Sequence, residues 1–148
     1  MTNLKKKLDL QNKSIFISWT ESTIRYSDLD PNGHVNNGAI NAFFEDGRVQ
    51  FRDEWTLRLG DDTLTGFALV SFSANYLAPL FFPGTVEIGT LVTRIGNSSY
   101  NLGQGIFEEN KCVATAEVVT VFLDSVTKSA TKLTDELRSI LRESMVSD

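Results

Sequence analysis

Residues 26–59 read YSDLDPNGHVNNGAINAFFEDGRVQFRDEWTLRL, and this run decides how the rest of the chain can fold. Its opening, Asp28 to Gly33 (DLDPNG), is dense in turn formers. From Asn37 onward Ile40, Phe43, Phe44, Phe51 and Trp55, with the small Gly47 among them, fall at spacings of three and four. That period predicts one long helix over Asn37 to Leu59, ended by Gly60, Asp61 and Asp62. An apolar stripe of that length must be covered by something.

The flanking sequence supplies the cover. Upstream, Ser14 to Tyr26 (SIFISWTESTIRY) is rich in β-branched and aromatic residues and reads as a first strand or strand pair. Downstream, four strands are expected over Thr65–Ala78, Thr85–Ile95, Ser98–Glu108 and Lys111–Leu123. Breaks at PLFFPG (79–84), Gly96-Asn97 and Glu109-Asn110 separate them. Alternation puts Ala68, Val70, Phe72, Ala74, Tyr76 and Ala78 on one face of the first of these. It puts Val113, Val119, Val121 and Leu123 on one face of the last. Thr134 to Met145 reads as a short helix, with Thr134 as N-cap and Asp135 and Glu136 in the first turn. The pattern is α+β: an antiparallel sheet with the long helix laid on it. It makes one domain over residues 1–148, with 1–13 a tail and 125–148 an extension carrying the short helix. The second sheet face and the strand edges invite a partner, so at least a dimer is expected.

Composition narrows the function. The net charge is −5 and the pI about 4.9, with basic residues scattered apart from Lys5, Lys6 and Lys7, which read as a solvated tail. A nucleic-acid partner would want a basic face. One cysteine, Cys112, permits no intrachain disulfide. With a single histidine beside it, a Cys-His protease or a His/Cys zinc site lacks its residues. No metal or cofactor is expected. No run reaches the roughly 18 apolar residues of a membrane helix, and no apolar stretch follows the N-terminal lysines as in a signal peptide. The cytosol is the default compartment, with no membrane partner.

The chemistry-bearing segment is Tyr26 to Gly38. Asp28 and Asp30 share a side of the chain if it is extended there, and Pro31 biases Asp30 away from helix. The helix start offers unpaired N–H donors and a partial positive charge. Asn36 or Asn37 suits the N-cap. The main-chain N–H groups of Asn37 and Gly38 suit a carbonyl oxygen that becomes anionic, and Gly38 has no side chain to obstruct it. A carboxylate at Asp30 facing such amides is a workable acyl-transfer site. The same residues also make an ordinary turn that Asp30 caps through its side chain, and physics alone favours that plainer role. His34 alone is more often structural, and Asn36 and Asn37 are more often caps.

YSDLDPNGHVNNG, followed by AINAFFEDGR, resembles the signature of the 4-hydroxybenzoyl-CoA thioesterase branch of the hotdog superfamily. YLAPLFFPGTVEIGT, TRIGNSSY and ATAEVVTVFLD are similar to the same family, so the likeness runs from about Ile15 to Asp124. It implies a five- or six-stranded antiparallel sheet wrapped around the long helix, in dimers or tetramers. It implies a thioesterase with Asp30 as catalytic carboxylate, nucleophile or general base, and the Asn37 N–H polarising the thioester carbonyl. His34, Asn36 and Gly38 would line or brace the site. Arg94, Ser98 and Ser99, at the Ile95–Gly96 bend, would hold the phosphates or pantetheine of CoA, or be solvated turn residues. Lys128 and Lys132 would add positive charge. Glu45 is a second candidate carboxylate, its plainer role a surface pair with Arg48. An acidic protein gains little by meeting an acidic carrier protein, so an acyl-CoA substrate is expected over an acyl-carrier-protein thioester. A dehydratase or a non-catalytic acyl-thioester binder are the other readings. Phe43, Phe44, Phe72, Phe81 and Phe82 suit aliphatic and aromatic acyl groups alike.

Overall fold

The computed structural model describes residues 7–60 and 66–146. Its elements are β1 (Ser18–Ile24), α1 (Asn37–Leu59), β2 (Phe67–Tyr76), β3 (Gly84–Ile95), β4 (Ser99–Glu108), β5 (Lys111–Phe122) and α2 (Asp135–Glu143). The five strands form one antiparallel sheet in the order β1-β3-β4-β5-β2. Five strands thus form, at the lower of the two expected numbers. The α1 bounds are those its periodicity predicts. Asp61, Asp62 and the expected strand start at Thr65 lie outside the described residues.

α1 lies on the sheet because its stripe is apolar and the sheet's inner face matches it. Phe44 and Phe51 pack with Ile88, Leu102 and Ile106, all nearly inaccessible to solvent. Gly47 sets the closeness of the approach: a Cβ there would stand 2.6 Å from Ile88 Cγ2. Gly47→Ala therefore overpacks the interface, and urea unfolding should show a loss of about 1–3 kcal/mol.

Arg48 departs from expectation. Instead of pairing with Glu45 on the surface, it turns into the helix–sheet interface. There it donates to Gln104 Oε1 (3.2 Å) and lies 5.3 Å over the Phe72 ring. Gln104 in turn donates to the Phe44 carbonyl and to Thr90 Oγ1. Burial pulls the Arg48 pKa down, and the charge of Glu45 opposes that. Nearby, burial holds the Tyr100 hydroxyl up at about 12 against the pull of Arg52 and Thr120. A raised folded-state pKa means that the native state binds the proton more tightly. Its contribution is complete below the unfolded value of about 10 and is lost as pH climbs toward about 12. Denaturation midpoints of native protein should fall across that window, and those of Tyr100→Phe should fall less.

β2 forms one edge of the sheet. Its register with β5 shifts between Leu69 and Ser71. This bulge breaks the alternation, so Phe67 packs on the core with Phe72 and Ala74, while Val70, expected on the face of Phe72 and Ala74, is 58% exposed. In β5 it is Ala114, Ala116 and Val118 that join the core, with Val113 beside them, while Val119 and Val121 stay half-buried. Small residues at 114 and 116 leave room for the helix.

The outer face of the sheet has its own small core of Phe16, Leu91 and Phe107. Leu8 and Leu10 pack on it, so part of the segment read as a tail is docked, while the Lys7 side chain stays 85% exposed. A Cβ at Gly103 would strike Leu10 at 2.6 Å, which is why that strand position is bare. Lys5 and Lys6 lie outside the described residues. At the other end Thr134 caps α2, its Oγ1 accepting the Leu137 N–H at 3.2 Å. Among the described residues no helix is long and apolar enough to cross a membrane.

Candidate active site

The loop from β1 to α1 is a short antiparallel ladder rather than an open turn. A 3-10 turn, Tyr26–Asp28, leads into a bridge between Leu29 and Val35. At the tip the Asp30 N–H donates to the His34 carbonyl (2.8 Å) and the Gly33 N–H to the Asp30 carbonyl (3.0 Å). Gly33 sits at φ +80°, where a side chain is strained. The ladder is tied sideways by the Val35 N–H, which donates to the Leu80 carbonyl (2.9 Å).

The two aspartates part ways here. Asp28 is buried, because the 3-10 turn folds it inward, whereas extended backbone would have set it beside Asp30. Asp30 is half-buried. Its Oδ1 accepts the N–H of Asn32 at 2.9 Å and of His34 at 3.2 Å, so it does cap its turn. Those two bonds also fix the carboxyl plane and use one oxygen only.

Asn36 takes the cap of α1. Its Oδ1 accepts the Ala39 N–H at 2.9 Å, and its carbonyl accepts the Ala39 and Ile40 N–H groups. Asn37 and Gly38, the first two helical residues, are exposed, and among the described residues their N–H groups have no acceptor. A Cβ at Gly38 would stand 3.0 Å from the capping Asn36 Oδ1, so glycine keeps both cap and approach open.

An aromatic shelf borders this turn, and it brings Phe81 and Phe82, two of the phenylalanines expected to suit the acyl group, together with His34 and Tyr26. The exposed His34 ring meets Phe81 edge to face at 5.1 Å, and Tyr26 meets Phe82 at 5.8 Å. Tyr76 donates from its hydroxyl to Asn41 Oδ1 (2.6 Å), fixing the end of β2 to the first turns of α1. Of the five phenylalanines expected to suit the acyl group, Phe44 is instead fully buried in the core under the sheet.

Arg94, Ser98 and Ser99 are not brought to this turn. β1 ends opposite Gly84, at the start of β3, whereas Arg94 pairs with Asn101 near its far end. Ten residues of strand separate the two, about 33 Å. Glu45 is exposed on α1, and Asp46 accepts from Ser22 Oγ (2.8 Å). Lys132 lines a cleft of about 690 Å3 with Trp55, Leu59, Phe67 and Phe122. Trp55 is eighteen residues along α1 from Asn37, so that cleft lies about 27 Å away along the helix. Lys128 sits in the turn after Asp124, its N–H donating to the Asp124 carbonyl. Cys112 is half-buried, donates to the Ala114 carbonyl and has a thiol pKa raised by burial.

A sequence profile of the thioesterase-like superfamily matches residues 24–141. No curated protein sequence matches the chain. Among solved structures, a protein of Bacillus stearothermophilus described as a predicted thioesterase superposes with a TM-score of 0.80 at 25% identity, covering 88% of this chain and 98% of that one. The PA5185 protein of Pseudomonas aeruginosa superposes at 0.77 with 32% identity, covering 90% and 95%. A Thermus thermophilus thioesterase complexed with coenzyme A and Zn superposes at 0.77 with 25% identity, covering 86% and 98%.

Proposed function

The chain belongs to the thioesterase-like superfamily, and from that premise we propose that it is a hotdog-fold enzyme hydrolysing acyl-CoA thioesters to the free acid and CoA. Within the superfamily its turn and helix start favour the 4-hydroxybenzoyl-CoA thioesterase branch. One observation carries the reading. A carboxylate held by two main-chain amides, that of Asp30, stands one short ladder away from a helix start whose Asn37 and Gly38 N–H groups lack acceptors among the described residues.

In this reading the thioester oxygen is held by those amides, which strengthen their hold as it becomes anionic. Asp30 then acts in one of two ways. It attacks the carbonyl carbon, expelling CoA thiolate and leaving an anhydride for water to open, or it takes a proton from an attacking water. Thiolate is a good leaving group, so neither route asks for a strong nucleophile. The shelf of His34, Phe81 and Phe82 gives the acyl or pantetheine portion an apolar wall.

A second copy completes the assembly in this proposal, as a homodimer or homotetramer. β2 is an edge strand whose Leu69 and Val70 are 52% and 58% exposed. Left bare, such an edge is prone to pairing. Antiparallel pairing of two β2 edges sets the far end of one sheet beside the near end of the other. In this reading the Arg94, Ser98 and Ser99 that meet a CoA bound at Asp30 come from the second copy.

The test is thiol release from a panel of short, long and aromatic acyl-CoAs, run beside the matching acyl-carrier-protein thioesters, with the oligomer sized by light scattering. Turnover of at least one acyl-CoA by a dimer or larger species is expected. Turnover of carrier-protein thioesters alone would change the substrate class. Binding of every thioester without turnover would leave a non-catalytic binder.

A further inference from the structure

We propose that Asp28 is a positioning residue that sets the distance between the Asp30 carboxylate and the amides at the start of α1. The proposal rests on the reading that these two groups act on one substrate carbonyl.

Asp28 is 4% exposed, in a loop whose neighbours are mostly open to solvent. Burying a carboxylate is costly unless it is paired and hydrogen-bonded. Here both oxygens are engaged, and with the same residue. Oδ2 accepts the Arg25 main-chain N–H at 2.7 Å, and Oδ1 accepts from the Arg25 guanidinium at 3.0 Å. Arg25 lies just past the end of β1. The Asp28 carbonyl, meanwhile, accepts the N–H of Asn36, the cap of α1, at 2.9 Å. One residue thus fastens the strand end through its side chain and the helix cap through its main chain.

The ladder that carries Asp30 starts from that junction and is tied elsewhere only sideways, at Val35, among the described main-chain bonds. The Leu29–Val35 bridge and the Asp30–His34 bond are the next steps of the same ladder. If Asp28 loosens, the ladder tilts, and Asp30 moves relative to the Asn37 N–H without either group being altered. Misplacement of about 1 Å between reacting groups costs on the order of 100-fold in rate. Arg25, with a side chain 72% exposed, is free to solvate its charge once its partner is removed, so the fold itself need not fail.

The experiment compares Asp28→Ala with Asp28→Asn in the full-length protein. Asn keeps an acceptor for the Arg25 N–H and gives up only the ion pair; Ala gives up both. With the best acyl-CoA of the panel, Asp28→Ala should lower kcat by about 100-fold with KM within about threefold, and Asp28→Asn should recover most of that loss. In amide hydrogen exchange, Asp28→Ala should speed the Asp30, Gly33 and Asn36 amides while β3, β4 and β5 stay protected. Loop amides as slow as native in the folded Ala variant would overturn the proposal. So would faster loop exchange with kcat unchanged, or a kcat that tracks only the fraction folded. If native protein turns over no thioester, the catalytic reading fails by itself, and the exchange arm still decides whether Asp28 holds the ladder.

Discussion

Asp30→Asn should leave the protein folded and cut kcat for its best acyl-CoA by about 100- to 10 000-fold, the span usual for loss of a carboxylate base. The substitution discriminates because of how the native carboxylate is held. Only Oδ1 serves the turn, accepting from the N–H groups of Asn32 and His34. An asparagine oxygen takes over both bonds, so the loop keeps its shape while the charge and the nucleophilic oxygen are lost. Asp30→Ala is the harsher variant. It also frees two turn amides, at about 0.5–1.5 kcal/mol for each bond lost, so its rate loss mixes chemistry with loop geometry. Native rates in the Asn variant would reduce Asp30 to the turn cap that its hydrogen bonds already make it. Loss in Glu45→Ala alone would move the chemistry onto the exposed face of α1.

The long-range frame was legible because it rests on periodicity. The α1 stripe and the turn residues between the strands set element bounds to within a residue or two, apart from the first strand, where β1 covers only Ser18–Ile24. Features that depend on two distant segments meeting were not legible. Nothing local announces the β2 bulge, which moves Val70 off the face its spacing assigns. Arg48 reads as a surface partner of Glu45 until Gln104, 56 residues away, offers it an acceptor inside the core. In the site, the order of Asp30, Asn36, Asn37 and Gly38 was visible because one continuous loop carries them. The burial of Asp28 was not, since it follows from a 3-10 turn closing on Arg25. Arg94, Ser98 and Ser99 were grouped by their chemistry and by sharing one bend, and neither encodes which end of a strand lies by Asp30. The aromatic shelf depends on the Val35 N–H reaching Leu80 across a gap of 45 residues.

The amides at the helix start are open to an equally sharp test, because a main-chain donor can be deleted where a helix tolerates its loss. Asn37 is the first helical residue, and Asn36, its cap, already satisfies Ala39. Proline is favoured at that first position. Its fixed φ suits the helix, and the N–H it lacks has no partner within the helix in any case. The preceding residue is pushed toward extended backbone, which is what a cap adopts. Asn37→Pro should therefore keep its melting temperature within a few degrees of native. If the Asn37 N–H binds the developing oxyanion, kcat should fall by about 100- to 1000-fold. Asn37→Ala retains the N–H and should stay within severalfold of native, which separates the main chain from the side chain. A proline variant that is folded and fully active would remove this amide from the mechanism. The Gly38 N–H would then be the remaining donor at the helix start, and Asp30 would face a carbonyl held by one main-chain bond rather than two.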